Sequence, residues 1–364
     1  MIRRLLKIIV ALVVVAVLVV GGYVAYVCLN YYRIEDDLTL AVENNQSETL
    51  TVGQEYTAAT YNIGFGAYTP DFTFFMDEGV MKDGTATCGT ESIAASKESV
   101  ETCTQGDIDL VESLGTDFIL LQEADIDSTR SYGIDQQAAF IEAFSSFGSV
   151  SAINFHSVYL MYPPTKPHGA VYSGLLTLSK YNIESATRKS YPVSDEFPTK
   201  FFDLDRCFSV TRLSVNNGKE LVLVNNHMSA YDEGGTIRAQ QIAALRSSLE
   251  AEYDAGNYVI VGGDWNHALC SSEEMYASEQ EVPDWVQTIE DGDFPEGYSV
   301  VRAENIEDVA TCRGSDIPYE KGVSYEATID GYVVSDNIDA SALNIDNGYL
   351  YSDHNPVKLT FTLK

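Results

Sequence analysis

From Ile8 to Leu29 no residue carries a charge, and most positions are Val, Ile, Leu, Ala or Gly. Wound as a helix, that run rises about 33 Å at roughly 1.5 Å per residue, enough to cross a hydrocarbon core of about 30 Å. A secretory signal is the rival reading, but its apolar region usually spans about 7 to 15 residues and ends at a small-residue cleavage site. This run is longer and closes on Val24-Ala25-Tyr26-Val27-Cys28-Leu29. A lipid-modified Cys28 is a third reading, and the bulky Tyr26 and Val27 stand against it. The pattern predicts an uncleaved membrane anchor over residues 1–32, with Arg3, Arg4 and Lys7 on the cytoplasmic side and the rest of the chain outside the cytoplasm, at the cell membrane as a single-pass protein.

The pattern then changes. Residues 33–54 are polar and acidic, with Asn44-Asn45-Gln46 at the middle, and read as a linker. From residue 55 to 364 short apolar runs of strand type recur: Tyr56 to Asn62, Phe118 to Gln122, Gly174 to Ser179, Phe208 to Ser214, Leu221 to Asn226, Tyr258 to Val261, Thr328 to Val334 and Val357 to Leu363. Thr236 to Tyr253 has helical spacing, with Ile242, Leu245 and Leu249 on one face, Thr236 as a candidate cap and Gly256 just past the end. Gly64 to Thr104 and Ser271 to Gly297 lack clear periodicity and read as long loops or insertions. Strand-type runs with helical patterns between some of them are what an α/β (α+β) domain over residues 55–364 would show.

Charge narrows the partners. The chain carries a formal net charge of −32. Arg3, Arg4, Lys7 and Arg33 all lie before the first acid at Glu35, so the outer part is more negative still. Such a field opposes a broad groove for a polyanion and leaves room for a small, locally positive site. Beyond Cys28 stand Cys88, Cys103, Cys207, Cys270 and Cys312, an odd number in a compartment where disulfides persist. Cys88 with Cys103 and Cys270 with Cys312 are the candidate pairs.

Several candidate strands deliver an acid, an amide or an imidazole at their C-terminal ends. These are Asn62 in Ala-Thr-Tyr-Asn-Ile, Glu123 in Gln-Glu-Ala, His227 in Asn-Asn-His-Met, and Asp264 and Asn266 in Gly-Gly-Asp-Trp-Asn. Asp330 in Ile-Asp-Gly and Asp353-His354 in Ser-Asp-His-Asn-Pro complete the series. Carboxylate and amide oxygens suit a hard ion such as Mg²⁺, with Mn²⁺ as a second choice, and no thiolate cluster competes.

In order and content these motifs resemble the endonuclease/exonuclease/phosphatase superfamily, which includes DNase I-like nucleases, neutral sphingomyelinases and inositol-polyphosphate phosphatases. The resemblance runs from about Glu55 to Lys364 and implies a four-layer sandwich of two mixed β-sheets flanked by helices. It implies that Glu123 is the principal metal ligand, with Asn62 and Asp353 supporting the metal or its waters. Asp264 would orient or deprotonate the attacking water, and Asn266 would hold the water or the phosphate. His227 and His354 would contact phosphoryl oxygens, as one or two imidazolium groups, with Asp330 orienting His354. Arg130, Arg206 and Arg313 are candidate anion contacts.

Blander readings compete. His227 or His354 alone reads as an ordinary polar residue at a strand end. His156 and His267 stay outside the site, and His168 reads as part of a solvent-exposed loop. Tyr68, Phe72, Phe74 and Phe75 read as packing for their own loop rather than as a lipid or substrate contact. The expected function is a membrane-anchored, extracytoplasmic phosphoester hydrolase, with a lipid head group or small phosphodiester as substrate. An extracellular nuclease is the alternative, and a non-catalytic binding domain on the same scaffold the second. No Gly-x-Ser-x-Gly elbow or phosphate-cradling Gly-x-x-x-x-Gly-Lys loop supports another hydrolase class. Oligomeric state is not legible.

Overall fold

The computed structural model describes residues 2–230, 236–283 and 285–364. In chain order the strands of its two main sheets begin with β1 (Leu38–Thr39), β2 (Glu55–Asn62), β3 (Phe118–Asp125), β4 (Gly148–Leu160), β5 (Gly169–Ser179), β6 (Ile183–Ser190) and β7 (Cys207–Ser214). They continue with β8 (Glu220–His227), β9 (Tyr258–Asp264), β10 (Tyr298–Val300), β11 (Asp330–Ser335), β12 (Ile338–Asn344) and β13 (Val357–Leu363). The helices are α1 (Ile2–Asn30), α2 (Lys97–Leu114), α3 (Gln136–Ala143) and α4 (Thr236–Ala255).

The six-stranded sheet runs β12-β13-β2-β3-β5-β4 and the seven-stranded sheet runs β1-β6-β7-β8-β9-β11-β10. Each holds one parallel pair, β2 with β3 and β8 with β9. Parallel neighbours need a crossover, and α2 and α4 lie within the two crossovers. Successive side chains on a strand face opposite ways, so these central strands are apolar on both faces. Leu221 and Leu223 point into the core between the sheets with Phe118, Leu120, Ala58 and Ile260. Their neighbours Val222 and Val224 meet Leu245 and Leu249 of α4 on the outer face. On the other side Ile119 and Leu121 meet Ile108 and Val111 of α2 and Phe140 of α3. The result is helix, sheet, sheet, helix, the sandwich that the resemblance implies.

Several elements differ from the sequence reading. Helix α2 starts inside the stretch read as a loop, capped by Ser96, whose side chain accepts from Ser99 N at 3.1 Å. Its apolar face is sparse, and Gly106 interrupts it because the ring of Tyr351 occupies the space where a Cβ would lie, 2.5 Å away. The run read as Thr328 to Val334 is displaced, with β11 covering Asp330–Ser335 and Glu326–Ala327, just before the run, pairing elsewhere. Helix α4 begins at Thr236 itself, and the residues just before it lie outside the described ones.

The segment read as a free linker lies along the sheets. Leu38–Thr39 pairs with β6, Glu43 bridges Ser149, and Leu50 is buried with its N–H on Ser214 O at 3.0 Å. The disulfide candidates are corrected too, since all six cysteines are free. Cys103 turns inward on α2 while Cys88 is exposed on a short hairpin.

Candidate active site

Asn62 ends β2. Its Oδ1 accepts Gly64 N–H at 3.0 Å, so its Nδ2 faces the acids, 2.9 Å from Asp264 Oδ2 and 3.4 Å from Glu123 Oε1. Glu123 gets there by an irregularity. The β3–β5 register shifts between Leu121 and Ala124, and Glu123 has φ 52°. Left-handed backbone at a non-glycine residue costs about 1–3 kcal/mol, and a bulge re-aims the side chain it carries. Arg130 lies beside Glu123, its Nη1 3.7 Å from Oε2, while its Nε and Nη2 grip Asp125 at 3.1 and 2.8 Å.

The other sheet works by plain register. His227 pairs with Asp264 across β8–β9, and Asp264 with Asp330 across β9–β11. Gly263 permits this approach, because a Cβ there would lie 2.0 Å from Asn226 O. His227 Nε2 is 3.5 Å from Asp264 Oδ2 and 3.9 Å from Glu123 Oε1. Its Nδ1 is 3.2 Å from Asn154 Nδ2. An amide nitrogen only donates, so Nδ1 accepts and Nε2 carries the proton toward the acids. Asn266 donates its N–H to Asp264 Oδ1 at 2.8 Å and its Nδ2 to Met228 O at 2.9 Å.

The loop before β13 closes the site. Ser352 Oγ donates to Asn62 O at 2.7 Å, tying this loop to the end of β2. His354 Nδ1 donates to Asp330 Oδ2 at 2.8 Å, and its Nε2 lies 3.9 Å from Asp264 Oδ2 and 4.0 Å from Asp353 Oδ1. All eight residues singled out by sequence therefore meet in one place, drawn from both sheets.

The two imidazoles are in opposite electrostatic states. Burial holds His227 well below the ordinary histidine range, and the charges of Arg206, His354 and Arg130 add to that. For His354 burial works the same way, but the charges of Asp330, Cys312 and Asp353 outweigh it and hold the ring well above its ordinary value. Of the one or two imidazolium groups expected, these directions favour one, His354, with His227 a neutral donor. Burial also raises Asp264, to about 7, and raises Asp353.

Other residues fall outside. His168 is buried, not in an exposed loop, with Nδ1 2.6 Å from Ser92 O. His267 turns to Trp265 O, and His156 stacks on Tyr32. Arg313 donates to Thr69 O, Phe72 O and Gly314 O and is committed to holding the loop at residues 69–72. Tyr68 and Phe72 are buried with Phe65 and Val100, as packing requires. Sequence reading missed Asn154, on a strand it did not predict, and the pair Gln122–Asn225 that joins the sheets behind the site, Nε2 to Oδ1 at 2.8 Å. Gln122 and Asn225 lie within the quoted motifs, and that placement was the available signal.

The donors fit a hard cation. Asp264, Asp330 and His354 each offer an atom within 4.8 Å of the others. The Asp330–His354 hydrogen bond already engages two of those groups with each other. Asp264 remains, with Glu123 and Asp353 adding oxygens beside it, and the buried carboxyls of Asp264 and Asp353, raised by desolvation and beside the unpaired Asp330 Oδ1, are what a divalent charge would stabilise.

The fold has known counterparts. Caenorhabditis elegans TDP2 is 16% identical, with a TM-score of 0.52 over 85% of this chain and 76% of that one. An endonuclease/exonuclease/phosphatase from Beutenbergia cavernae is 14% identical, with a TM-score of 0.53 over 85% and 72%. Danio rerio TDP2, in complex with a single-strand DNA product, is 12% identical, with a TM-score of 0.50 over 85% and 99%. At these identities the likeness concerns the fold. No curated protein matches the chain. A family model described as the Endonuclease/Exonuclease/phosphatase family matches residues 59–275, more than half of the sequence, and the protein belongs to that family.

Proposed function

We propose that the chain is a phosphoester hydrolase dependent on a divalent cation, held in the cell membrane by α1 with its catalytic region on the extracytoplasmic side. The observation that carries this reading is the meeting of Asn62, Glu123, His227, Asp264, Asn266, Asp330, Asp353 and His354 in one place. Glu123 and Asp353 would hold the ion, Mg²⁺ in preference to Mn²⁺, with Asn62 fixing the carboxylates around it. Bound there, the ion supplies positive charge against the phosphoryl oxygens. Asp264, held by Asn62 and the Asn266 N–H, takes the proton of the attacking water. His354, charged and fixed by Asp330, and His227, neutral with its proton on Nε2, donate to the phosphoryl oxygens as charge grows there. No covalent intermediate is called for.

The substrate we favour is a lipid head group or a small phosphodiester. TDP2's DNA product keeps a nuclease reading in view, yet the acidity of the outer part opposes a long polyanion. The test is turnover of a bis-aryl phosphodiester by the full chain in mild detergent, with Mg²⁺ or with EDTA, beside Glu123→Ala. Turnover should need the metal and be lost in the variant. Turnover indifferent to both, or none at all, would refute the reading.

A further inference from the structure

The last two turns of α1 are not free. Tyr23 and Val27, one helical turn apart, pack against Val158 and Phe201. Tyr23 Oη donates to Tyr159 O at 2.9 Å and accepts from Met161 N–H at 3.3 Å. Past the helix the contacts continue without a break: Tyr31 meets Phe201 edge-on at 5.0 Å, Tyr32 stacks on His156 at 4.2 Å, and Arg33 pairs with Asp205 at 3.1 Å. The catalytic region is fastened to the side of the helix, not hung from its end.

Length then sets depth. From Ile8 to Gly22, below the first docked residue, the helix rises about 22 Å, and from Leu5, with the stem of Lys7 snorkelling, about 27 Å. Both fall short of a hydrocarbon core of about 30 Å. Filling the core brings Tyr23 and the turns above it to the outer boundary of the bilayer, and the edge bonded to Tyr23 comes with them.

That edge has the right surface. Met161 is 53% exposed, Tyr162 58% and Phe197 70%, with Tyr159 beside them at 37%. Phe197 contacts Phe201 at 5.7 Å, and Phe201 in turn packs on Val27, so the patch is continuous with the lipid-facing helix. Tyrosines and other amphipathic rings concentrate at this depth.

We propose that Tyr159, Met161, Tyr162 and Phe197 form a membrane seat, immersed in the interfacial layer of the leaflet from which α1 emerges. The proposal rests on the reading of α1 as an anchor. A relay of contacts also links the seat to the wall of the site. Tyr162 lies 5.7 Å from Phe75, which flanks His168, and two residues past His168 the Ala170 N–H donates to Thr129 Oγ1 at 3.1 Å, next to Arg130 and hence to Glu123.

The test reconstitutes the full chain in phosphatidylcholine vesicles with and without bromine-labelled acyl chains. Tryptophan is introduced by Tyr162→Trp and, separately, Phe197→Trp, and the added fluorescence is compared with that of Leu343→Trp. Leu343 lies on β12, the sheet edge opposite β4, and is 42% exposed. Quenching at the two seat positions should exceed that at Leu343→Trp by about twofold or more, as expected of side chains at the acyl boundary. Flotation of the vesicles reports the anchor separately. A chain that floats with equal quenching at all three positions overturns the seat alone, and a chain that does not float overturns both.

Discussion

The two sheets build their halves of the site by different means. On the seven-stranded sheet, His227, Asp264 and Asp330 are consecutive partners in undistorted register, each about 1% exposed. On the six-stranded sheet, Glu123 reaches the site only through a register shift and a left-handed backbone, and its side chain keeps 23% of its surface. Regular pairing suits groups that handle protons, because their spacing must stay fixed in a dry setting. The strained, open position suits the role proposed for Glu123, that of an acid exchanging water and phosphate around an ion. Strain of this kind marks function when the surroundings enforce it, and here Arg130 and Asn62 do so from either side.

The largest expected effect comes from breaking the regular half at its centre. Asp264→Asn keeps the shape of the side chain, and its register partners stay in place. If Asp264 receives the proton of the attacking water, kcat on the phosphodiester falls by about 10²- to 10⁴-fold, the usual contribution of a positioned base. A loss smaller than threefold, with circular dichroism unchanged, would remove Asp264 from that role.

A smaller loss, about 10- to 100-fold, is expected for Asp330→Asn, which acts through His354 rather than on the substrate. The pH profile separates this from simple damage. In the native chain the acids hold the imidazolium to high pH against the pull of burial. With Asp330 neutralised, the largest of the charges opposing burial is gone and the folded-state value falls, so the alkaline limb of kcat moves to lower pH. An unmoved alkaline limb would show that Asp330 does not set the charge of His354.

These contrasts also explain what the sequence disclosed. His227 and Asp264 stand where apolar runs stop and Asp330 where its strand begins, and a regular strand carries a terminal polar side chain to a predictable place. Glu123 was legible as a residue but its bulge was not, because a register shift depends on the partner strand. Strand β4, with Ser, Asn and His between its apolar residues, gave no clean alternation, and its Asn154 was lost with it. Residues 33–54 read as linker because their composition is polar, yet backbone pairing to β6 and Ser149 needs no apolar side chain.

The smallest effect sharpens the comparison most, since it asks how the two halves are held in step. Gln122 immediately precedes Glu123, and Asn225 lies two residues before His227. Gln122 Nε2 donates to Asn225 Oδ1 at 2.8 Å, and Asn225 Nδ2 reaches Leu121 O and Leu176 O, each at 3.2 Å. All of these atoms are buried between the sheets, with no water-facing side to fall back on. Asn225→Leu takes one acceptor from Gln122, which keeps Thr60 Oγ1 and Leu120 O, and removes the Asn225 donor from the two carbonyls, which should lower stability by about 1–3 kcal/mol in urea unfolding of the full chain in detergent. Gln122→Leu should cost a similar amount. If the penalty is the desolvation of a stranded partner, the double variant recovers part of it and destabilises by less than the two single changes together. Strict additivity would mean that the pair does not act as a bridge, and that the alignment of Glu123 with His227 is set by the apolar core alone.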